Sequence, residues 1–248
     1  MKPLRAIVTG GATNIGLAIS EAFLARGGRV VVSQRQRGLP PEVAKRYGDR
    51  LTAIPCDVGH PDQCRRFVAE AAEWLGGIDV LVNNAAITGA IGVCNFADID
   101  ERHVDSVLNV NIKGVIFCSQ SAAPHLRKAG GGVIVNISSV NAFRPQRGAT
   151  VYAATKAAMT SLTQSMAKDL ASDRIRVVAV APGDIRIDNS DEVEKVQKAA
   201  GAGGDVANLT PLGQGVPADI GEVVAFLCSD AAKFVTGTTW LVDGGLLA

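Results

Sequence analysis

Tyr152 and Lys156 stand four residues apart in VYAATKAAM, Ser139 lies thirteen residues before the tyrosine, and Asn111 lies further upstream in NVNIKG. Together these residue types can move a proton to or from a substrate oxygen at neutral pH. The Ala-rich surroundings of Tyr152 favour helix, and positions i and i+4 share a helix face about 6 Å apart along the axis, so phenol and ammonium can face one cleft. A free Tyr, with a pKa near ~10, is a poor base at pH 7, but a fixed cation favours the phenolate, and Lys156 would supply it. The Ser139 hydroxyl could hold a substrate oxygen in reach, through a hydrogen bond that strengthens as negative charge develops. Asn111, donor and acceptor in one side chain, could tie Lys156 to a water chain. The same residues also fit a solvent-facing Lys, a packed Tyr, a turn Ser and a helix Asn, and Tyr-x-x-x-Lys alone recurs by chance.

Positioning such a group requires a scaffold. Apolar runs at 4–9, 29–33, 51–56, 78–83, 132–138, 175–181 and 239–243 read as seven strands. Amphipathic or Ala-rich stretches at about 15–27, 61–75, 100–129, 149–171 and 217–229, with a weaker one at 40–47, read as helices between them. Continuous apolar strands alternating with helices predict an α/β fold, a doubly wound parallel sheet covered on both faces, whose active site lies beyond the carboxyl ends of the strands. One domain over 1–248 is the simplest organisation. The one compositional break, 188–215, is charged and then Gly/Ala-rich, and a lid-like substrate segment is expected at about 184–215.

The 248 residues are 47% hydrophobic and 20% charged, an ordinary globular balance with enough chain for one substantial core. A net charge of +1, with two Trp and two Tyr and no long basic run, argues against a nucleic-acid surface. No apolar run reaches the ~20 residues that span a bilayer, and the N-terminus lacks the pattern of a signal peptide. A soluble, cytoplasmic protein is expected. Cys56, Cys64, Cys94, Cys118 and Cys228 form no C-x-x-C pair, and are expected as buried small hydrophobes in a reducing compartment. No metal site is expected.

The first strand ends in TGGATNIGLAI, a glycine turn opening a helix. Gly10 permits the turn and Gly16 a close approach, while Thr13, Asn14 and Ile15 complete a helix N-terminus whose free N–H groups and dipole suit a pyrophosphate. At the end of the second strand, where an NAD-selective site usually places Asp or Glu, the chain has Gln34, Arg35 and then Arg37. A guanidinium can bind a 2′-phosphate that a carboxylate would repel, so NADP is favoured, with NAD possible. Solvated loop arginines remain the plainer alternative.

The ordered set TGGATNIG, CDV (56–58), NNAA (83–86), VNIKG, NISS, YAATK (152–156), APG (181–183) and VDGG (242–245) resembles the short-chain dehydrogenase/reductase family over essentially the whole chain. The resemblance implies a Rossmann-like fold and hydride transfer between a nicotinamide and a carbonyl or alcohol carbon. It implies Tyr152 as acid/base, Ser139 positioning substrate, Lys156 lowering the tyrosine pKa and holding the nicotinamide ribose, and Asn111 completing a proton relay. It further implies Asp57 and Val58 at the adenine, Asn83 and Ala85 along the cofactor, and Pro182, Gly183 and Ile185 beside the nicotinamide. A homotetramer is implied as well. The chain departs from the common pattern at Asn14, where a glycine is frequent, at Ala86, at Val178 and at Ile187, where many relatives have Thr.

The substrate, a small-molecule carbonyl or alcohol, is expected to meet Ile87, Asn141, Phe143, Arg144, Gln146, Arg147, Asp184, Arg186 and Asp188, a mixture suited to a polar or acidic compound. Two other functions compete. A non-catalytic NAD(P)-binding regulatory or scaffold protein would not need all of Asn111, Ser139, Tyr152 and Lys156, and a nucleotide-sugar epimerase or dehydratase usually carries a larger C-terminal domain.

Overall fold

A computed structural model of the chain describes residues 3–35, 38–188, 195 and 210–248. Seven strands, β1 (Arg5–Val8), β2 (Arg29–Gln34), β3 (Leu51–Pro55), β4 (Val80–Asn83), β5 (Gly132–Ile137), β6 (Ile175–Pro182) and β7 (Thr239–Val242), lie parallel in the order β3-β2-β1-β4-β5-β6-β7. This is the expected Rossmann-like sheet. Register runs Val8 opposite Val32 on one side and Val82 on the other, which aligns the carboxyl ends of β1 and β4. The strand order reverses between those two strands, and the crevice there is the natural ligand site of an open parallel sheet.

Strand side chains alternate between two cores. Ala6, Val8, Val30, Val32, Val80 and Val82 pack with Ile19, Phe23 and Leu24 of α1 (Asn14–Ala25) and with a C-terminal helix at Pro217–Leu227. On the other face, Ile7, Val31, Leu81 and Ile134 pack with Phe67 and Val68 of a helix at Pro61–Leu75 and with Leu126 of another at Gly114–Lys128. Each central strand is therefore apolar on both sides, which is why it reads as a continuous apolar run.

In chain order the remaining helices are α2 (Pro41–Tyr47), α3 (Pro61–Leu75), a short α4 (Gly89–Gly92), α5 (Glu101–Leu108), α6 (Gly114–Lys128), α7 (Thr150–Asp169) and α8 (Pro217–Leu227). Helix α3 starts with Pro at its first position and stops at Gly76, whose φ of 72° is left-handed. The single helix expected over 100–129 is instead two. Asp100 caps α5 by accepting from the His103 N–H at 2.7 Å, and a π-helical turn, Asn109–Lys113, separates α5 from α6. Gly114 follows at a point where a side chain would come within 2.9 Å of the Val58 carbonyl oxygen. Hydrophobic periodicity does not register one extra residue in a turn, and such turns concentrate at functional sites. Among the described residues, no helix is long and apolar enough to cross a membrane.

Candidate active site

A cavity of about 1000 Å³ opens along the carboxyl ends of the strands. One end is the glycine turn. Thr13, the residue before α1, makes no side-chain cap, so the first N–H groups of the helix have no intrahelical partner and face the cavity with Gly10, Asn14, Ile15 and Gly16. A side chain at Gly16 would overlap the Gly10 carbonyl. Asn14, in the position where a glycine is frequent, has φ 49° and thus takes up the left-handed geometry that Asn tolerates. Its Oδ1 accepts from the Asp188 N–H at 2.9 Å, tying the turn to the start of the suspected lid.

The turn is stapled to β4 by Asn84, which sequence reasoning passed over for its neighbour. Asn84 Nδ2 donates to the carbonyls of Thr9 at 2.9 Å and Gly10 at 3.1 Å, and its N–H donates to Thr9 Oγ1. Asn83 does not border the cavity. Its Nδ2 donates to Ser119 Oγ at 3.0 Å and Asn136 Oδ1 at 2.9 Å inside the core. Strand alternation accounts for this, because Asn83 shares the face of Leu81, toward α6, and could have been read from the sequence. Ala85, Asp57, Val58, Pro182, Gly183 and Ile185 all line the cavity, with Arg35 exposed at its rim. Arg37 lies outside the described residues.

At the other end stand Ser139, Tyr152 and Lys156. Ser139 lies two residues past the end of β5, and its Oγ accepts from the Asn141 N–H at 3.1 Å. Tyr152 and Lys156 project from the first turns of α7, with the Lys156 Nζ 5.6 Å from the centre of the tyrosine ring. Burial pushes the Tyr152 phenol up, and hydrogen bonds with Thr88 and Ser139 oppose that rise. The opposing groups are thus two hydroxyls, one of them Thr88, which no motif in the sequence marked. The expected lowering by Lys156 is not the governing effect, because its ammonium is itself turned to the Ile137 carbonyl, 2.7 Å away. Burial lowers Lys156 from its ordinary 10.5 to about 8.

Asn111 is likewise placed differently from expectation. It sits in the π turn, 1% exposed, and does not line the cavity. Its Oδ1 accepts from the Ile87 N–H at 2.8 Å, while its Nδ2 donates to the Ile87 carbonyl at 3.1 Å and to Thr155 Oγ1 at 3.1 Å. The amide therefore holds the loop after β4 against α7 and makes no bond to Lys156. Of the expected substrate residues, Ile87, Asn141, Gln146, Asp184 and Arg186 line the cavity, with Ile187 beside them. Phe143, Arg144 and Arg147 are exposed away from its wall, and Asp188 is not part of it. The base of the suspected lid is fastened by the Gly215 N–H donating to the Asp184 carbonyl and the Arg186 N–H donating to that of Gly215. Residues 189–194 and 196–209 of that segment lie outside the described residues.

The depressed Lys156 makes a stability prediction. Below pH 8 the amine is protonated in both folded and unfolded chains, and the folded state bears the full cost of a buried charge. Between about pH 8 and pH 10.5 the folded chain releases its proton first, so this group's contribution rises with pH, by about 3 kcal/mol in all. Chemical denaturation of the protein and of Lys156→Met across that window should show the protein gaining roughly this amount on the variant as pH rises. Parallel curves would show that the amine is not depressed.

A family model described as Enoyl-(Acyl carrier protein) reductase matches residues 10–247. The Dehydrogenase/reductase SDR family member 4 of Homo sapiens is 35% identical over 243 residues, spanning 97% of this chain and 86% of that protein. A 3-ketoacyl-(acyl-carrier-protein) reductase from Brucella melitensis complexed with NADH superposes with a TM-score of 0.86 at 30% identity, covering 98% of each chain. A short chain dehydrogenase from Burkholderia cenocepacia J2315 in complex with NADP does so with a TM-score of 0.85 at 33% identity, covering 99% of this chain and 98% of that one. Sheet order, cavity and whole-length similarity agree, and the chain belongs to the short-chain dehydrogenase/reductase family of oxidoreductases.

Proposed function

We propose that the protein is an NADP(H)-preferring oxidoreductase that interconverts a carbonyl and a secondary alcohol, with Tyr152 as general acid/base. The observation that carries this reading is one continuous cavity with a helix N-terminus and a side-chain-free glycine turn at one end and Ser139, Tyr152 and Lys156 at the other. The residues present fit a dinucleotide. Free N–H groups of α1 and the bare Gly10 and Gly16 backbone suit the pyrophosphate, Asp57 and Val58 the adenine side, and Pro182, Gly183 and Ile185 the nicotinamide side. When bound, the nicotinamide supplies or accepts the hydride.

The chain's own residues then handle the substrate oxygen. Ser139 orients it toward Tyr152 and stabilises charge that develops there. Burial keeps the phenol protonated at neutral pH, so in the carbonyl-reducing direction Tyr152 donates its proton to that oxygen. The Lys156 ammonium adds a positive field beside the phenol, and Asn111 acts as a positioning residue that fixes the Ile87 loop over the site. Asn141, Gln146 and Gln214 give the substrate end a polar lining, in keeping with a polar carbonyl compound. Assays of ketones, oxoesters and sugars with each nicotinamide nucleotide, followed at 340 nm, test the reading. No turnover with any of them would remove its support.

NADP preference rests on Arg35, with no carboxylate at the end of β2. Charge-assisted hydrogen bonds to a phosphate are worth about 1.5–3 kcal/mol, so Arg35→Ala should weaken NADPH by at least about tenfold and leave NADH nearly unchanged. Equal effects on both nucleotides would undo the assignment. For the expected homotetramer, the exposed Phe226, Phe234 and Leu241 around β7 offer an apolar surface in support.

A further inference from the structure

Thr155 stands in the Ala-rich first turns of α7, between Tyr152 and Lys156. An alanine would serve the helix better, because a β-branched side chain loses rotamer freedom there. Thr155 is nonetheless 1% exposed, and its hydroxyl is used in both directions. Its Oγ1 donates to the Tyr152 carbonyl at 2.7 Å and accepts from Asn111 Nδ2 at 3.1 Å.

From Asn111 the connection continues to the loop after β4. The second proton of that amide goes to the Ile87 carbonyl at 3.1 Å, and its oxygen accepts the Ile87 N–H at 2.8 Å. Ile87, Thr88 and Gly92 line the cavity together with Tyr152. A side chain built on Gly92 would lie 3.4 Å from the Ile87 carbonyl oxygen and 3.9 Å from Cδ2 of the Tyr152 ring. Loop and ring are therefore neighbours, and the Thr155 hydroxyl joins the backbones that carry them. The Lys156 end of the same helical turn is held separately, by Ser138 Oγ donating to the Lys156 carbonyl at 3.0 Å.

We propose that Thr155 is a positioning residue for the acid/base step, holding the Tyr152 backbone in register with the Ile87 loop through Asn111, an inference that rests on the assignment of Tyr152 given above. Loss of the hydroxyl strips a side-chain bond from the Tyr152 carbonyl and leaves one buried Asn111 amide proton without its partner. Neither change touches the glycine turn. Both loosen the placement of the phenol against a substrate oxygen, to which turnover is steeply sensitive.

The test compares Thr155→Val, which keeps the volume and removes the hydroxyl, with Thr155→Ser, which keeps the hydroxyl. Thr163→Val is the control, because the Thr163 hydroxyl is as deeply buried on the same helix, about two turns beyond Lys156, and accepts from Asn136 Nδ2 at 2.9 Å. Labelling the full chain with carbon-13 at tyrosine Cζ gives two signals, from Tyr47 and Tyr152, which Tyr152→Phe assigns. We expect Thr155→Val to lower kcat about tenfold with nucleotide affinity within about twofold, and to move the Tyr152 signal at neutral pH while that of Tyr47 stays. Thr155→Ser should restore both, and Thr163→Val should lower the denaturation midpoint without either effect. Where turnover depends on Tyr152, an unchanged kcat or an unmoved Tyr152 signal in Thr155→Val would overturn the proposal. Equal losses of kcat in Thr155→Val and Thr163→Val, or no recovery in Thr155→Ser, would do the same. Should Thr155→Val not fold, Thr155→Ala set against Thr155→Ser gives the same comparison. If Tyr152→Phe keeps its turnover, or no carbonyl compound is turned over, the acid/base assignment fails, and the Tyr152 signal alone decides whether Thr155 anchors that residue.

Discussion

Tyr152→Phe is expected to lower kcat by about a thousandfold with any accepted substrate, because positioned proton transfer contributes 10²–10⁴ to such reactions. The substitution keeps the ring and its packing against the cavity wall. It removes only the hydroxyl that hydrogen-bonds with Thr88 and Ser139, a loss of about 1 kcal/mol to stability. Nucleotide affinity should hold, since the glycine turn stands at the opposite end of the cavity. Steady-state kinetics paired with a nucleotide titration separate the two effects. Turnover within a few-fold of the unmodified protein would exclude Tyr152 as the acid/base, and joint loss of turnover and nucleotide binding would point to a collapsed site.

Gly16→Ala should have the second largest effect, at the other end of the same cavity. The added carbon would overlap the Gly10 carbonyl oxygen and come within 2.6 Å of Asn84 Nδ2, the group that staples the turn to β4. Neither neighbour can yield cheaply. Overpacking of this kind costs about 1–3 kcal/mol, and the displaced backbone is the surface offered to the pyrophosphate, so nucleotide affinity should fall roughly 100-fold. Gly38→Ala serves as the control, because a side chain there meets nothing within 4 Å among the described residues. Denaturation curves and titrations for both variants check the expectation. Full affinity in Gly16→Ala would mean that the turn does not carry the phosphate.

Much of the fold was legible because each element advertised itself locally. The valines of β2 and β6 predict strands buried on both faces, and Pro61 and Gly76 frame α3. The π turn at Asn109–Lys113 was not legible, since its hydrophobic spacing mimics a continuous helix and the close approach of Val58 to Gly114, just after the turn, depends on a segment far upstream. Asn83 and Asn84 show the intermediate case. Their identity pointed to the cleft, but only the pleat of β4 decides that one turns into the core and the other holds the glycine turn.

The chain by itself determined the sheet, the glycine turn and the shared face of Tyr152 and Lys156, because periodicity, turn chemistry and helix spacing are short-range properties of neighbouring residues. Tertiary packing alone decided that Asn111 grips the Ile87 backbone, that Thr88 reaches the phenol, and that Lys156 turns to Ile137 and is lowered to about 8. Hydrogen-bond partners and burial depend on which distant segments the sheet brings together, and no local pattern encodes that distance.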